Sequence, residues 1–254
     1  MDALVTAGGV PTPDDPLYEY SQGESKALID VAGKPMVQWI LDAISGSTKV
    51  DNVVIIGIDE SSGVTCEKPT RFIPSHGNMV DNIRAGTEEI VKINPYTEYI
   101  LAVSSDIPTI TSEMVDWTVN SCMETKDDMY YSVVSREVME ARFPGSKRTY
   151  TKLKDIHLSG GDMNVVSKDT VISKQGLWNR MEAARKNHLK QAALIGFDTL
   201  FLILFRLVDL DGAVKNASKR LKLNARAILC PYAEIAMDVD KPHQLEILRE
   251  DLSK

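Results

Sequence analysis

The sequence predicts an α/β protein with a mostly parallel central sheet, and three observations support that prediction. Two runs, VVIIG at 53–57 and YILAVSS at 99–105, are almost continuously apolar, as in strands buried on both faces. Segments with a helical spacing of apolar residues stand between these runs and after them. Strands that alternate with helices at this spacing form βαβ units with right-handed crossovers, so their strands lie parallel.

The first half of the chain shows its elements in a regular order. Residues 3–7 (ALVTA) predict a short strand that ends at Gly8-Gly9, and the Pro-rich stretch at 10–25 can be neither strand nor helix throughout. A helix is expected from Pro35, which suits a first helical turn, and another is expected at 78–93. Ser112 is expected to cap a third helix, and residues 129–135 to form a strand.

The second half is less regular. Residues 148–169 predict strand, turn and strand, and residues 175–222 are helical by pattern. Two further strands are expected at 225–230 and 235–239, before a final helix at 242–251. No internal repeat or low-complexity linker interrupts the chain, so we expect a single domain over residues 1–254.

Composition argues against several classes of partner. The 254 residues carry 36 acidic and 29 basic side chains, a net charge of −7, so we expect no nucleic-acid partner, which would need a basic surface. Three cysteines without a CxxC pair, and an N-terminus without a basic and then apolar leader, indicate a cytoplasmic protein. The apolar stretch at 193–210 contains Asp198 and Arg206 and is too short for a membrane span. We expect residues 192–208 to pack within the subunit or against a second copy in a homo-oligomer.

Glycine and lysine residues stand where the first predicted strand ends. Gly8 and Gly9 follow that strand, and ligands of open α/β sheets bind at the carboxyl ends of strands. Glycine there allows backbone amides to approach a phosphate closely, although a Gly-Gly turn can also be purely structural. Lys26 is the only basic residue before Lys34, and its ammonium suits phosphate oxygens; the alternative is a solvated surface lysine.

Acidic residues at two places are candidates for a metal site. Asp106 follows the strand at 99–105, where its carboxylate is expected to face the ligand crevice; the alternative is a cap for the next segment. Asp238 and Asp240 are two residues apart and would share one face of a strand, and Asp240 also suits the N-cap of the last helix. A carboxylate of this segment beside Asp106 would complete a pair for Mg²⁺ (or Mn²⁺), which binds carboxylates together with phosphate oxygens.

These motifs together resemble the nucleotidyltransferases that include molybdenum-cofactor guanylyltransferase and the cytidylyltransferases of isoprenoid and sugar-acid synthesis. The family's glycine loop, lysine and G-K-P signature resemble LVTAGG…KALIDVAGKPM at 4–36, and its base-reading segment resembles HGNMVDNIRAG at 76–86. Its D-x-P element resembles SSDIP at 104–108, and its terminal element resembles MDVDKPHQLEIL at 237–248. The resemblance implies a Rossmann-like three-layer α/β/α sandwich of the nucleotide-diphospho-sugar transferase type. It also implies a nucleotide-binding half at about 1–135, a mixed α+β acceptor side at about 136–230, and a terminal strand and helix at 231–254.

The resemblance implies roles for the matched residues as well. Lys26 and Asp106 would be catalytic, and Asp106 with Asp240 would bind Mg²⁺. The nucleotide would be bound by the backbone amides of Ala7, Gly8 and Gly9, and by Gly77, Asn78 and Asn82. The implied reaction transfers a nucleoside monophosphate from a nucleoside triphosphate to a phosphorylated small-molecule acceptor and releases pyrophosphate.

The chain departs from the family pattern in its first loop. The family loop runs G-x-G-x-R, whereas residues 8–25 contain no arginine and several acids. Either Arg148, Lys152 or Lys154 supplies this charge, or the reaction is slowed, altered or lost. The basic stretch at 147–154 and the glycines after it also suit a phosphate-bearing acceptor, with Arg148, Lys152 and Gly161 as the candidate contacts. A solvated loop is the alternative.

Two other functions remain open. A metal-dependent glycosyltransferase on a similar scaffold would carry a D-x-D motif after the central strand, where this chain has Ser104-Ser105-Asp106. A nucleotide sensor without catalytic activity is consistent with the missing loop arginine. The sequence leaves open which base and which acceptor the site takes.

Overall fold

The computed structural model describes residues 1–184 and 202–254. Its strands β1 to β11 are, in chain order, Asp2–Thr6, Asp30–Val31, Lys34–Pro35, Val53–Ile56, Thr70–Ile73, Tyr99–Ser104, Met129–Ser135, Thr151–Lys152, His157–Gly160, Met163–Ser167 and Ala225–Cys230. The α-helices of the described residues, α1 to α9, are Tyr18–Ser21, Met36–Gly46, Met79–Ile93, Ser112–Cys122, Arg136–Arg142, Lys168–Ser173, Gln175–Ala184, Leu210–Leu221 and Pro242–Leu252.

The main sheet is mostly parallel, as the sequence predicts. In the part of the chain that the structure describes, nine strands pair in the order β5-β4-β1-β6-β10-β7-β9-β8, with β11 also paired to β7. The strands β5, β4, β1 and β6 run parallel, and β11 runs parallel to β7. Helices cover both faces: Ala3 and Val5 of β1 point into the main core, which includes apolar residues of α2, α4 and α9, whereas Leu4 belongs to a second core that includes Ile90 of α3.

One antiparallel strand interrupts this order. β10 pairs antiparallel with both β6 and β7. β9, which comes just before β10 in the chain, also pairs antiparallel with β7. Gly160 pairs with Val133 of β7, and Val165 pairs with Tyr130 of β7. These partners are three residues apart on β7 but five residues apart on the other side, so residues 161–162 form a bulge between β9 and β10. Bulges re-aim side chains, and they are common beside active sites.

Several local expectations are corrected by the structure. Thr111, not Ser112, caps α4, since its hydroxyl accepts from the Met114 amide. Residues 233–236 form a 3-10 turn and residues 237–240 form no strand, so the strand expected at 235–239 is wrong. Lys241 occupies the N-cap position of α9, so the alternative role of Asp240 as that cap is also wrong.

The helical segment expected at 175–222 is described only in part. α7 and α8 confirm its two ends, and residues 202–204 are also helical. Residues 185–201, which include half of the apolar stretch at 193–210, lie outside the described residues. Among the helices that are described, none combines the length and the apolarity that a membrane span requires.

Candidate nucleotide and metal site

The carboxyl end of β6 meets a segment from the C-terminal part of the chain. Asp106 follows β6, and its Oδ1 accepts a hydrogen bond of 2.6 Å from Ser104 Oγ. The carbonyl of Asp106 accepts a hydrogen bond of 3.0 Å from the Val239 amide, which holds residues 237–240 against the end of β6. This backbone contact brings Asp238 and Asp240 to the edge of the sheet that carries Asp106.

Three carboxylates and one ammonium form the centre of the site. Oxygens of Asp106, Asp238 and Asp240 all lie within 4.8 Å of one another. Lys26 Nζ donates to Asp106 Oδ2 at 2.7 Å and to Asp240 Oδ1 at 3.0 Å. Lys26, Asp106 and Asp240, which the sequence singles out from distant segments, therefore meet at one place, and Asp238 joins them.

Burial and proximity shift the pKa values of these groups in different directions. Burial lowers the pKa of Lys26, but attraction to Asp106 and then to Asp240 outweighs it, so the pKa is raised and the ammonium stays charged. Burial, a hydrogen bond with Asp240 and repulsion from Asp106 raise the pKa of Asp238 to about 7. Burial also raises the pKa of Asp240, but the hydrogen bond from Asp238 and the attraction of Lys26 lower it overall.

The donor set of this cluster fits a hard divalent cation. Mg²⁺ and Mn²⁺ prefer oxygen ligands, and Mg²⁺ sites in proteins often combine one or two carboxylates with water and phosphate oxygens. The Asp240 side chain is 59% exposed and that of Asp106 is 16% exposed, so the cluster is reached from solvent at Asp240. An ion there would compete with Lys26 for the same carboxylate oxygens.

The glycine corner after β1 is packed against a third glycine. Gly57 follows β4 with a φ of +104°, and a Cβ atom at this position would lie 2.1 Å from Gly8 Cα, so only glycine fits. The Ala7 amide donates to the Ile56 carbonyl at 2.8 Å and is therefore used by the sheet. Within the described residues, the amides of Gly8 and Gly9 have no acceptor, so these two of the three predicted amides are available to a phosphate.

The long segment between Gly9 and Lys26 is anchored at several points. The Lys26 amide donates to the Gly9 carbonyl at 2.8 Å, and Ser25 Oγ donates to the Ala7 carbonyl at 2.6 Å. In the middle of the segment the Leu17 side chain is buried in the main core. These contacts fix the backbone of Lys26 beside the glycine corner.

The turn before α3 uses the predicted base-reading residues for its own structure. Gly77 has a φ of +93°, and Asn78 caps α3 by accepting from the Asp81 amide at 2.9 Å. The buried Asn82 accepts from the His76 amide at 2.7 Å. The two asparagine side chains shape this turn, and their contact with a base stays a prediction.

The three candidate acceptor contacts lie in different surroundings. The Arg148 guanidinium forms an ion pair with Asp238 and so reaches the carboxylate cluster. Lys152 is exposed on the short strand β8. The Gly161 amide donates to the Ser132 carbonyl at 2.8 Å within the bulge, so the sheet uses it. Of the three, Arg148 is the one that the structure brings to the other candidate residues.

A fourth carboxyl group, that of Asp162, lies beside the cluster, and no sequence motif pointed to it. The Asp162 amide donates to the Ile235 carbonyl and the Asp162 carbonyl accepts from the Ser104 amide, both at 2.9 Å, which fixes the bulge between the end of β6 and the 3-10 turn at 233–236. Burial, and then repulsion from Asp106 and Asp238, raise the pKa of Asp162 well above its usual range. Two glycines before an acid within a strand signal a bulge, but only the pairing of β10 with β6 shows where the acid lies.

Groups suited to phosphate and groups suited to a metal thus share one edge of the sheet, at the carboxyl ends of its strands, where the class of α/β nucleotide-binding proteins binds its ligands. Residues 3–193 match the family described as MobA-like NTP transferase domain, and the chain belongs to that family. This membership confirms the predicted fold class and the predicted relation to nucleotidyltransferases.

Known structures and curated proteins agree with this assignment. A hypothetical transferase from Thermus thermophilus superposes on this chain with a TM-score of 0.83 at 30% identity. The match covers 96% of this chain and 98% of the Thermus chain. CMP:2-keto-3-deoxy-manno-octonic acid synthetase, complexed with CTP, has the same fold, with a TM-score of 0.63 at 14% identity over 99% of this chain and 98% of its own.

Among curated proteins, the mitochondrial 3-deoxy-manno-octulosonate cytidylyltransferase of Arabidopsis thaliana is 25% identical over 122 residues, which are 46% of this chain and 41% of that protein. The corresponding enzyme of Zea mays is 23% identical over 113 residues, which are 44% of this chain and 38% of that protein. The match therefore spans about two fifths of the length of these curated relatives.

Proposed function

We propose that this chain transfers a nucleoside monophosphate from a nucleoside triphosphate to a phosphorylated small molecule, with release of pyrophosphate and with Mg²⁺ (or Mn²⁺) as the metal. The observation that carries the proposal is the meeting of Lys26 with Asp106 and Asp240. A phosphate-type cation and two metal-type carboxylates from three distant segments share one exposed edge of the sheet. CTP is the first triphosphate to test, because both curated relatives are named as cytidylyltransferases.

In the proposed reaction an anionic oxygen of the acceptor phosphate attacks the α-phosphorus of the triphosphate. The new P–O bond forms while the bond to the β-phosphate oxygen breaks, and pyrophosphate leaves with that electron pair. The attacking oxygen is already anionic, so the step needs no protein nucleophile and no general base, and neither His76 nor His157 is assigned a role in it.

The residues of the chain orient the reactants and balance charge. The amides of Gly8 and Gly9 would hold phosphate oxygens, and the Lys26 ammonium would hold a further phosphate oxygen. Asp106 and Asp240 would bind the metal, which when bound neutralises phosphate charge and polarises the α-phosphoryl group. Lys152 stays a proposed contact for the acceptor phosphate.

The test is a pyrophosphate-release assay with each of the four triphosphates, Mg²⁺ and a panel of phosphorylated acceptors. Asp106→Ala should lower turnover by about 10²–10³-fold, the range found when one preorganised electrostatic contact to a transition state is lost. Asp51→Ala is the matched control, because Asp51 is exposed and pairs only with the N-terminal ammonium among the described residues. Normal turnover of Asp106→Ala, with wild-type metal dependence, would contradict the metal assignment.

A second candidate is a nucleotide sensor without catalytic activity. It is favoured by the absence of any basic residue in the loop at 8–25, where the family places an arginine. Tight binding of a triphosphate without product from any acceptor would support this candidate. Release of free nucleoside diphosphate from a nucleotide sugar would instead indicate a glycosyltransferase.

A further inference from the structure

Among the residues that the structure describes, two cations contact the three clustered carboxylates, and each contacts different members. Lys26 holds Asp106 and Asp240, whereas Arg148 forms an ion pair with Asp238. The side chains of Arg148 and Asp238 are 13% and 11% exposed, so this pair is largely removed from water. Each carboxylate that suits a metal ion is therefore already paired with a cation of the protein.

The pair of Arg148 and Asp238 is poorly hydrogen-bonded. Arg148 Nε is buried and has no hydrogen-bond partner among the residues that the structure describes, and Asp238 Oδ1, the oxygen that Arg148 Nη2 contacts, makes no hydrogen bond of regular geometry. A buried polar atom without a partner costs free energy, and a guanidinium has five donors in a rigid fork that suits phosphate. This contact leaves the buried Nε donor of Arg148 unused.

The backbone that carries Arg148 is held close to the cluster. Phe143 is buried, and its carbonyl accepts from the Ser146 amide at 3.2 Å. A ring nitrogen of His243 on α9 lies 3.0 Å from the Ser146 carbonyl, which ties this turn to the helix that follows Asp240. Since these contacts anchor the turn, the side chain of Arg148 is the part that can change partner.

We propose that a divalent ion and Arg148 compete for Asp238, so that metal binding releases the guanidinium to hold a phosphate group of the substrate. The inference rests on the proposed function and deepens it by naming the cation that replaces the missing loop arginine. Asp238 bound to the ion no longer needs Arg148, and a guanidinium binds phosphate through paired, charge-assisted hydrogen bonds. Metal binding and phosphate binding are then coupled, and the coupling is reciprocal.

The experiment measures binding to the full chain without turnover. Free Mn²⁺ is followed by electron paramagnetic resonance, and the binding of inorganic pyrophosphate and of glycerol phosphate is followed by calorimetry with and without Mn²⁺. If Asp238 is free of Arg148 about a tenth of the time, Arg148→Gln should strengthen Mn²⁺ binding about tenfold. The same variant should weaken phosphate binding in the presence of Mn²⁺ by about tenfold, since a charged hydrogen-bond partner is lost.

Asp238→Asn should produce the opposite pair of changes. Arg148 is then released without a metal, so binding of pyrophosphate or glycerol phosphate in the absence of Mn²⁺ should strengthen, whereas Mn²⁺ binding should weaken. A response of pyrophosphate indicates that Arg148 serves the triphosphate, and a response of glycerol phosphate alone indicates the acceptor. Arg226→Gln is the matched control, because Arg226 Nε donates to Asp127 at 2.7 Å near the amino end of β7, away from the cluster; it should change neither affinity.

Unchanged or weakened Mn²⁺ binding in Arg148→Gln would overturn the competition while leaving the metal site itself in place. No Mn²⁺ binding by the wild-type chain would instead contradict the proposed function, so the two failures are distinguishable. If Arg148→Gln is unfolded by circular dichroism, Asp238→Asn decides: phosphate binding without metal that does not strengthen overturns the inference.

Discussion

Replacing Lys26 with Met should lower the free energy of unfolding of the metal-free protein, and added Mg²⁺ should restore much of that free energy. The contact of Lys26 with Asp106 joins side chains that are 19% and 16% exposed, and a charge-assisted hydrogen bond of this kind contributes about 1.5–3 kcal/mol. The contact with Asp240 is weaker, because that side chain is 59% exposed, and it contributes at most about 1 kcal/mol. The expected loss is about 2–3 kcal/mol, or about 5–10 °C in Tm for a chain of this length.

The measurement is urea unfolding of wild type and Lys26→Met, each with excess chelator and with Mg²⁺. The wild type should gain less from Mg²⁺ than the variant, because the ion and the ammonium compete for the same oxygens of Asp106 and Asp240. Lys92→Met is the control, since Lys92 lies 2.8 Å from Glu89 but is 71% exposed, and its loss should cost less than about 1 kcal/mol. Equal stability of Lys26→Met and wild type in chelator would refute the structural role of this ammonium.

Two further predictions concern the glycine corner and the buried thiols. Gly57→Ala should displace the glycine corner, because the new Cβ would lie 2.1 Å from Gly8 Cα and residue 57 has a φ of +104°. We expect the free energy of unfolding to fall by about 1–3 kcal/mol in a denaturant titration, and triphosphate binding to weaken in a calorimetric titration. At pH 8 a thiol reagent should modify the half-buried Cys66 of the folded chain but not Cys122 or Cys230, because burial raises the pKa of both buried thiols to about 12. In the unfolded chain these thiols ionise from about pH 8.5, so the free energy of unfolding should fall as pH rises above that value. Rapid reaction of all three cysteines in the native protein would contradict the burial of the latter two.

Local patterns were sufficient for most of the helices and strands. The apolar runs predicted β4 and β6 because a strand covered on both faces needs apolar residues at every position. The predicted helix at 78–93 matches α3 (Met79–Ile93), and that at 242–251 matches α9 (Pro242–Leu252). Periodicity failed at 235–239, where a 3-10 turn and the residues after it contact the end of β6 instead of adding a strand.

The sequence alone also determined which residue types stand at strand ends, and this was enough to single out Lys26 and Asp106. Their meeting with Asp240 depends on the hydrogen bond between the Val239 amide and the Asp106 carbonyl, a contact between distant segments that no local pattern encodes. The insertion of β10 between β6 and β7 decided in the same way that Asp162 lies beside the cluster.

The tertiary structure likewise decided that Arg148 contacts Asp238, whereas Lys152, from the same basic stretch, stays in solvent. The physical reason is that apolar spacing and turn residues act over a few neighbours, and therefore can be read from the chain. Which charged groups share a site depends instead on strand order and on backbone hydrogen bonds between distant segments.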